Sequence, residues 1–199
     1  MNVRSLFASQ VYEAEISNEQ LLTELAHSIR TLSNDDQAGR RWSREHHYSG
    51  YTSYASLNDL PRRDATFAEL AKVLNRHVAK FAEHCAFDLR RKLRLDSMWV
   101  NLLRGSGHHS GHIHPHSILS GTFYVEVPMG SGVIRFEDPR LPLMMAAPPR
   151  RKDASEQLQP FISVEPRAGL LLLWESWLRH EVMPGDGKGE RLSISFNFA

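Results

Sequence analysis

The chain has 199 residues, a length that suits one domain and is enough to bury a core without disulfide or metal staples. It is 41% hydrophobic and 24% charged, as globular proteins are, and a formal net charge of +1 gives no reason to expect a nucleic acid or a membrane surface as partner. With one cysteine, Cys85, no intramolecular disulfide can form; no leader-like pattern opens the chain and no apolar run approaches the roughly 20 residues of a membrane span, so the expected address is the cytoplasm.

Residues 1–95 read as a helical part. Ser17-Asn18-Glu19-Gln20 has the form of a capping box, with Ser17 as N-cap, Gln20 reaching back, and Ile16 and Leu21 placed as a hydrophobic staple. Leu22, Leu25, Ile29 and Leu32 follow at spacings of three and four and form one apolar face. Asn34-Asp35-Asp36 and then Gly39 end that helix. Residues 39–63 carry Gly, Ser, Tyr and Pro61 without clear period and read as a long connection. Thr66-Phe67-Ala68-Glu69 is a second capping box, with Thr66 as N-cap. Phe67, Leu70, Leu74, Val78, Phe81 and Cys85 then mark a longer amphipathic helix, in which His77 and His84 read as packed or surface residues and Cys85 as a structural thiol. The basic run Arg90 to Arg94 reads as a solvated face or helix end.

From Ser97 the period changes to two. Met98, Val100 and Leu102 alternate with Trp99, Asn101 and Leu103; Leu119 to Val127 and Val133 to Glu137 alternate in the same way. Phe161 to Val164 and Leu170 to Trp174 are two short apolar runs. In the last strand Leu192, Ile194, Phe196 and Phe198 take one face, and Arg191, Ser193, Ser195 and Asn197 the other. Residues 139–160, rich in Pro, Arg and Lys, read as a long loop. Six or more short strands separated by turn signals predict a sandwich or barrel, with the jelly roll a natural form, covered on one sheet face by the N-terminal helices. The expected class is α+β, one domain over residues 1–199 with its β core in 96–199.

Five histidines fall between positions 108 and 116: His108, His109, His112, His114 and His116. A surface run, a chance cluster near a turn and a metal site all fit that density. His112 and His114 form H-x-H, which on an extended strand turns both imidazoles to one side. His109, three before His112, has the wrong parity for an extended segment, and His116 follows Pro115, which breaks a strand. His180 is the best third ligand, since it follows the strand Leu170 to Trp174 and a turn. Arg191 shares a strand face with Ser193, and a buried Arg needs an anion, which its guanidinium grips through a bidentate fork. An exposed edge-strand Arg is the plainer alternative. Trp99, Trp174 and Trp177 read as packing residues. Trp42 and Tyr48, beside His46 and His47, could belong to a substrate lid. No P-loop, dinucleotide glycine fingerprint, HExxH helix or G-x-S-x-G elbow is present.

The ordered pattern His112-x-His114, His180, Arg191-x-Ser193 resembles the 2-oxoglutarate/Fe(II) oxygenases. More narrowly, it is similar to a group of small bacterial members of that superfamily. The matching strings are Trp99-Val100-Asn101, His112-Ile113-His114-Pro115 through Leu119-Ser120-Gly121, Phe136 to Arg140, Ser176 to His180, Arg191 to Asn197 and Gly50 to Tyr54. The resemblance implies a double-stranded β-helix in which His112, His114 and His180 hold Fe(II). 2-Oxoglutarate would be co-substrate, its far carboxylate on Arg191 and Ser193, with Tyr124 and His108 beside it and O2 as oxidant. Asn101 and Asn197 would orient these groups. The wider superfamily has a carboxylate where this chain has His114, so Glu137 or Asp138 is an alternative ligand, and three imidazoles also suit Zn(II) or Ni(II). The prime substrate would be a small molecule or peptide, the protein a monomer or homodimer. A cupin-like three-His metalloenzyme and a non-catalytic binding protein are the competing readings.

Overall fold

The computed structural model describes residues 2–199. Strand β1 (Val11–Glu15) precedes helix α1 (Glu19–Asp35), helix α2 (Gln37–Glu45), strand β2 (Gly50–Thr52) and helix α3 (Ala65–His84). Eight strands follow: β3 (Leu95–Arg104), β4 (His109–His112), β5 (Leu119–Glu126), β6 (Ile134–Glu137), β7 (Phe161–Val164), β8 (Leu170–Glu175), β9 (His180–Val182) and β10 (Glu190–Phe198). They make two antiparallel sheets, of order β1-β8-β5-β10-β3-β2 and β4-β9-β6-β7. The fold is α+β, with the long loop expected before β7 crossed only by short 3-10 turns at Leu141–Leu143 and Glu156–Leu158.

The helical part differs from its sequence reading in three ways. It contributes two strands to the larger sheet, one at each edge. The stretch read as a connection holds α2, whose buried residues are Gly39 and Ser43, so no apolar stripe marks it. Gly39 packs against Tyr51, Asp36 and Ser56 with no room for a Cβ, which lets α2 lie close on its neighbours. Both N-caps also move. Asn18, not Ser17, accepts from the Leu21 amide, and Asp64, not Thr66, accepts from the amide of Thr66. Caps of this kind satisfy amides that have no partner inside the helix, and Asn and Asp serve better than Thr. Asp36 ends α1 with its own N–H on Leu32 and caps α2 by accepting from Gly39.

Strand alternation sorts the larger sheet into two faces. Met98, Val100, Phe123, Leu171, Leu173, Ile194, Phe196 and Phe198 face α1 and α3 and share one core with Leu25, Ile29, Phe67, Leu74 and Phe81. The opposite face carries Tyr124, Leu172 and Trp174, which pack with Ile134, Phe136 and Leu178 from the smaller sheet's side. That inner face also buries Asn101, Ser120, Thr122, Arg191 and Ser193. Buried polar residues are the informative exception in an interior, and here they gather on one surface.

Candidate metal centre

Two of the three predicted ligands are strand partners. β4 pairs with β9 so that His112 lies opposite His180, with ring centroids 4.4 Å apart. His114 lies just past the end of β4, where its amide bonds the Ser176 carbonyl at 3.0 Å. Its ring sits 5.2 Å from that of His112 and 5.1 Å from that of His180. One ring nitrogen from each of the three can be chosen so that all lie within 4.8 Å of one another, a group able to hold a metal ion.

The partners of the other ring nitrogens decide which atoms these are. Nδ1 of His112 meets the Ser110 carbonyl at 2.7 Å, Nδ1 of His114 meets Oδ1 of Asn197 at 2.7 Å, and Nδ1 of His180 meets the Leu178 carbonyl at 2.9 Å. Each partner is an acceptor, so each Nδ1 carries the hydrogen and donates it, and each Nε2 keeps a free lone pair. Asn197 is itself held, since Oδ1 accepts from Ser120 at 2.8 Å and Nδ2 donates to Ser97 at 3.2 Å. Burial pushes the His180 pKa down to about 3 and that of His114 to about 4, with His112 adding to both and the hydrogen bonds these rings donate to the Leu178 and Asn197 oxygens opposing. Both rings are therefore neutral near pH 7, as ligands must be. Nε2 of His114 is buried and has no protein partner. Glu137 pairs with Arg179 at 3.2 Å and Asp138 with Arg140 at 2.7 Å, and neither carboxylate joins the cluster.

Farther along the same inner face lies Arg191, 4% exposed. It donates from Nη1 to the Gly132 carbonyl at 2.9 Å, its Nε has no partner, and its guanidinium stands 5.8 Å from the centre of the Tyr124 ring. None of the salt bridges among the described residues includes it. Burial lowers its pKa and the phenols of Tyr124 and Tyr48 oppose that, yet a guanidinium stays charged at any physiological pH. Ser193, also buried, is its neighbour but one on β10. Tyr124 lies beneath, fully buried, with burial raising its hydroxyl pKa to about 12.

Asn101 is buried and engaged on both sides. Its Nδ2 donates to Ser195 at 3.0 Å, and its Oδ1 accepts from Thr52 at 2.9 Å and Tyr48 at 3.3 Å. The Tyr48 hydroxyl also meets Nε2 of His109 at 2.7 Å. Here the structure corrects the sequence reading. His108, expected beside the co-substrate, is exposed, and His109 takes the inward place. The reason is a bulge: His109 lies opposite Val182 while His112 lies opposite His180, so three steps on β4 match two on β9 and the parity is reset. Burial, then the nearby Arg191, lowers the His109 pKa to about 3. Sequence periodicity had no signal for this. Trp99 also joins, 5.9 Å from the His114 ring and roughly parallel to it, with Tyr54 edge-on to it at 5.2 Å. His116 is exposed at a positive φ of 74° and stays outside.

Three convergent imidazole lone pairs and a buried guanidinium, set between two antiparallel sheets, mark the chain as one equipped to hold a metal ion. A family model described as "Putative 2OG-Fe(II) oxygenase" matches residues 97–197, half of the chain, and the chain belongs to that family. A search of curated proteins finds no match. Among solved structures, a prolyl-4-hydroxylase from Pseudomonas putida is similar at 16% identity and a TM-score of 0.63, covering 96% of this chain and 92% of the other. HygX from Streptomyces hygroscopicus, with nickel, 2-oxoglutarate and hygromycin B bound, is similar at 15% identity and 0.62, covering 96% and 83%. The epimerase SnoN, in complex with Fe3+, alpha ketoglutarate and nogalamycin RO, stands at 17% and 0.65, covering 96% and 78%. At these identities the likeness is one of fold.

Proposed function

We propose that the chain is a non-haem Fe(II) and 2-oxoglutarate-dependent oxygenase that hydroxylates its substrate. In this reading the two sheets are the halves of a jelly roll, and the whole chain is one catalytic domain. His112, His114 and His180 hold the iron through Nε2. The carbonyls of Ser110 and Leu178, with Asn197, hold the three rings in the ligating tautomer. Arg191, Ser193 and Tyr124 take the far carboxylate of 2-oxoglutarate, and Asn101 steadies the wall beside it through Tyr48. Phe136, Leu172, Trp174 and Leu178 keep water from the chamber. Iron and 2-oxoglutarate, when bound, supply activation of O2 coupled to decarboxylation of the co-substrate to succinate and CO2.

The observation that carries this reading is the buried Arg191 without an acid, on the inner face of the larger sheet, with the imidazole cluster on the smaller sheet beside it. Removing a guanidinium from water costs several kcal/mol unless an anion compensates, and a free dicarboxylate brings one. The donor set supports iron less selectively, since three imidazoles also suit other divalent metals. Relatives of similar fold support the pairing, for HygX and SnoN have been seen with nickel or iron and the same co-substrate.

The test is anaerobic visible absorption. Metal-free protein receives Fe(II), then 2-oxoglutarate, with Arg191→Ala in parallel. A weak charge-transfer band in the wild type that needs far more co-substrate in the variant is the expected result. Iron binding without a band at any co-substrate concentration would overturn the reading and favour a three-His metalloenzyme of the cupin kind.

A further inference from the structure

Among the described residues, three buried side-chain nitrogens lack a hydrogen-bond partner: Nε2 of His114, Nε of Arg191 and Nε1 of Trp174. Interiors leave few such atoms unmet, because each costs about 1–3 kcal/mol. The proposed metal accounts for the first and the far carboxylate for the second. The indole ring of Trp174 packs among apolar neighbours, but its N–H has no partner yet. We propose that Trp174 is a co-substrate-binding residue, its indole N–H donating to an oxygen of the bound 2-oxoglutarate. The proposal rests on the functional reading above and extends it.

Trp174 sits at the right place for this. It is 2% exposed, on the inner face of β8, with its ring 4.6 Å from that of His180 and 5.3 Å from that of Phe136. It belongs to the same packed group as Tyr124, over which the Arg191 guanidinium stands. Trp174 thus meets the His180 ring directly and belongs to the apolar group that runs on to the Tyr124 ring under the guanidinium. Across the strand pair, the hydroxyl of Ser120 is hydrogen-bonded to Asn197 and Ser176 and not to the indole. An indole N–H can only donate, so its partner must be an acceptor. A carboxylate or keto oxygen fits; an amine does not. A phenylalanine would fill most of the same apolar space without the donor. The N–H is therefore the property that distinguishes this residue as a binder from the packing role its sequence position suggests.

The protein has four tryptophans, so a 15N–1H spectrum of the indole groups holds four resonances and reads this directly. The full chain is loaded with Zn(II), a diamagnetic stand-in at the histidines, and titrated with 2-oxoglutarate. Trp174→Phe assigns the resonance; if that variant does not fold, single variants at Trp42, Trp99 and Trp177 assign it by elimination. The expected result is a downfield move of the Trp174 N–H that tracks saturation and is absent in Arg191→Ala at the same concentration. In Trp174→Phe, half-saturation with 2-oxoglutarate rises about tenfold, as for loss of a hydrogen bond to a charged group, while Zn(II) affinity holds. A Trp174 N–H that stays in place while 2-oxoglutarate binds overturns this inference and leaves the functional reading intact. Failure of 2-oxoglutarate to bind the wild type at all overturns both.

Discussion

The histidines of this chain are prepared one nitrogen at a time. Each Nδ1 is consumed by an oxygen, two of them backbone carbonyls two residues earlier in the chain. Those two bonds are local and survive most substitutions nearby. The third depends on Asn197, 83 positions away, which makes it the tunable one. Losing a group that orients a ligating His costs about 10- to 100-fold in metal affinity. Asn197→Ala is therefore expected to weaken Zn(II) or Fe(II) binding by that factor, measured by competition with a chromophoric chelator. Unchanged affinity would mean that His114 is held by packing against Trp99 instead. The two unpartnered nitrogens on Arg191 and Trp174 follow the same logic: a buried donor without a protein partner is met when a ligand acceptor reaches it.

At the scale of elements, one carboxylate ties the helical part together. Asp36 closes α1, caps α2, and accepts from the hydroxyls of Tyr51 at 2.8 Å and Ser56. Burial pushes its pKa up, but the hydrogen bonds from Ser56, Gly39 and Tyr51 together outweigh that and hold it below the usual range. The folded-state pKa is thus below the unfolded one. Its contribution is fully present above the unfolded value of about 3.9 and is lost as pH falls through the folded value. Asp36→Ala is expected to cost about 0.5–2 kcal/mol at neutral pH, the range for loss of an N-cap. The gap from wild type should narrow toward pH 3, read by urea denaturation at both pH values. A gap independent of pH would assign the cost to lost packing around Gly39. β4 offers the second lesson at this scale. Its bulge admits His109 to the inner face, and the Tyr48 hydroxyl meets it there from beyond α2.

For the whole molecule, the larger sheet divides two interiors of different character. The helix side is apolar where α1 and α3 meet the sheet, with Leu25, Ile29, Phe67 and Phe123 inaccessible to solvent. The side facing the smaller sheet mixes apolar packing with Asn101, Arg191, Ser193 and the imidazoles. The first holds the chain folded; the second holds a site that is incompletely satisfied by protein atoms alone. A ligand that binds only the folded state stabilises it by mass action, about 2.7 kcal/mol at a hundredfold excess over Kd. Zn(II) at that excess should raise the melting temperature by about 5–10 °C, and a chelator should reverse it. His180→Ala should abolish the rise. A rise that persists in His180→Ala would place the metal elsewhere.

The sequence by itself determined what period and spacing encode. The face of each residue in β3, β5 and β10 follows from alternation, so Arg191, Ser193 and Asn197 were legible as one inner row. The helix faces of α1 and α3 and the runs that became β6, β7 and β8 were legible for the same local reason; joining His180 to His112-x-His114 took the ordered pattern along the whole chain, which no local period carries. The tertiary structure alone decided the rest. β2 is too short, β1 too exposed and α2 too polar for any period to register; they exist because the larger sheet and Asp36 receive them. Which of His108 and His109 turns inward depended on a pairing offset with a strand some 70 residues later. That Glu137 and Asp138 are spent on arginines, that Arg191 has no acid, and that the Trp174 N–H lacks an acceptor are facts about what surrounds a side chain. Periodicity tells a residue which way to point; only the assembled fold supplies, or withholds, the partner it finds there.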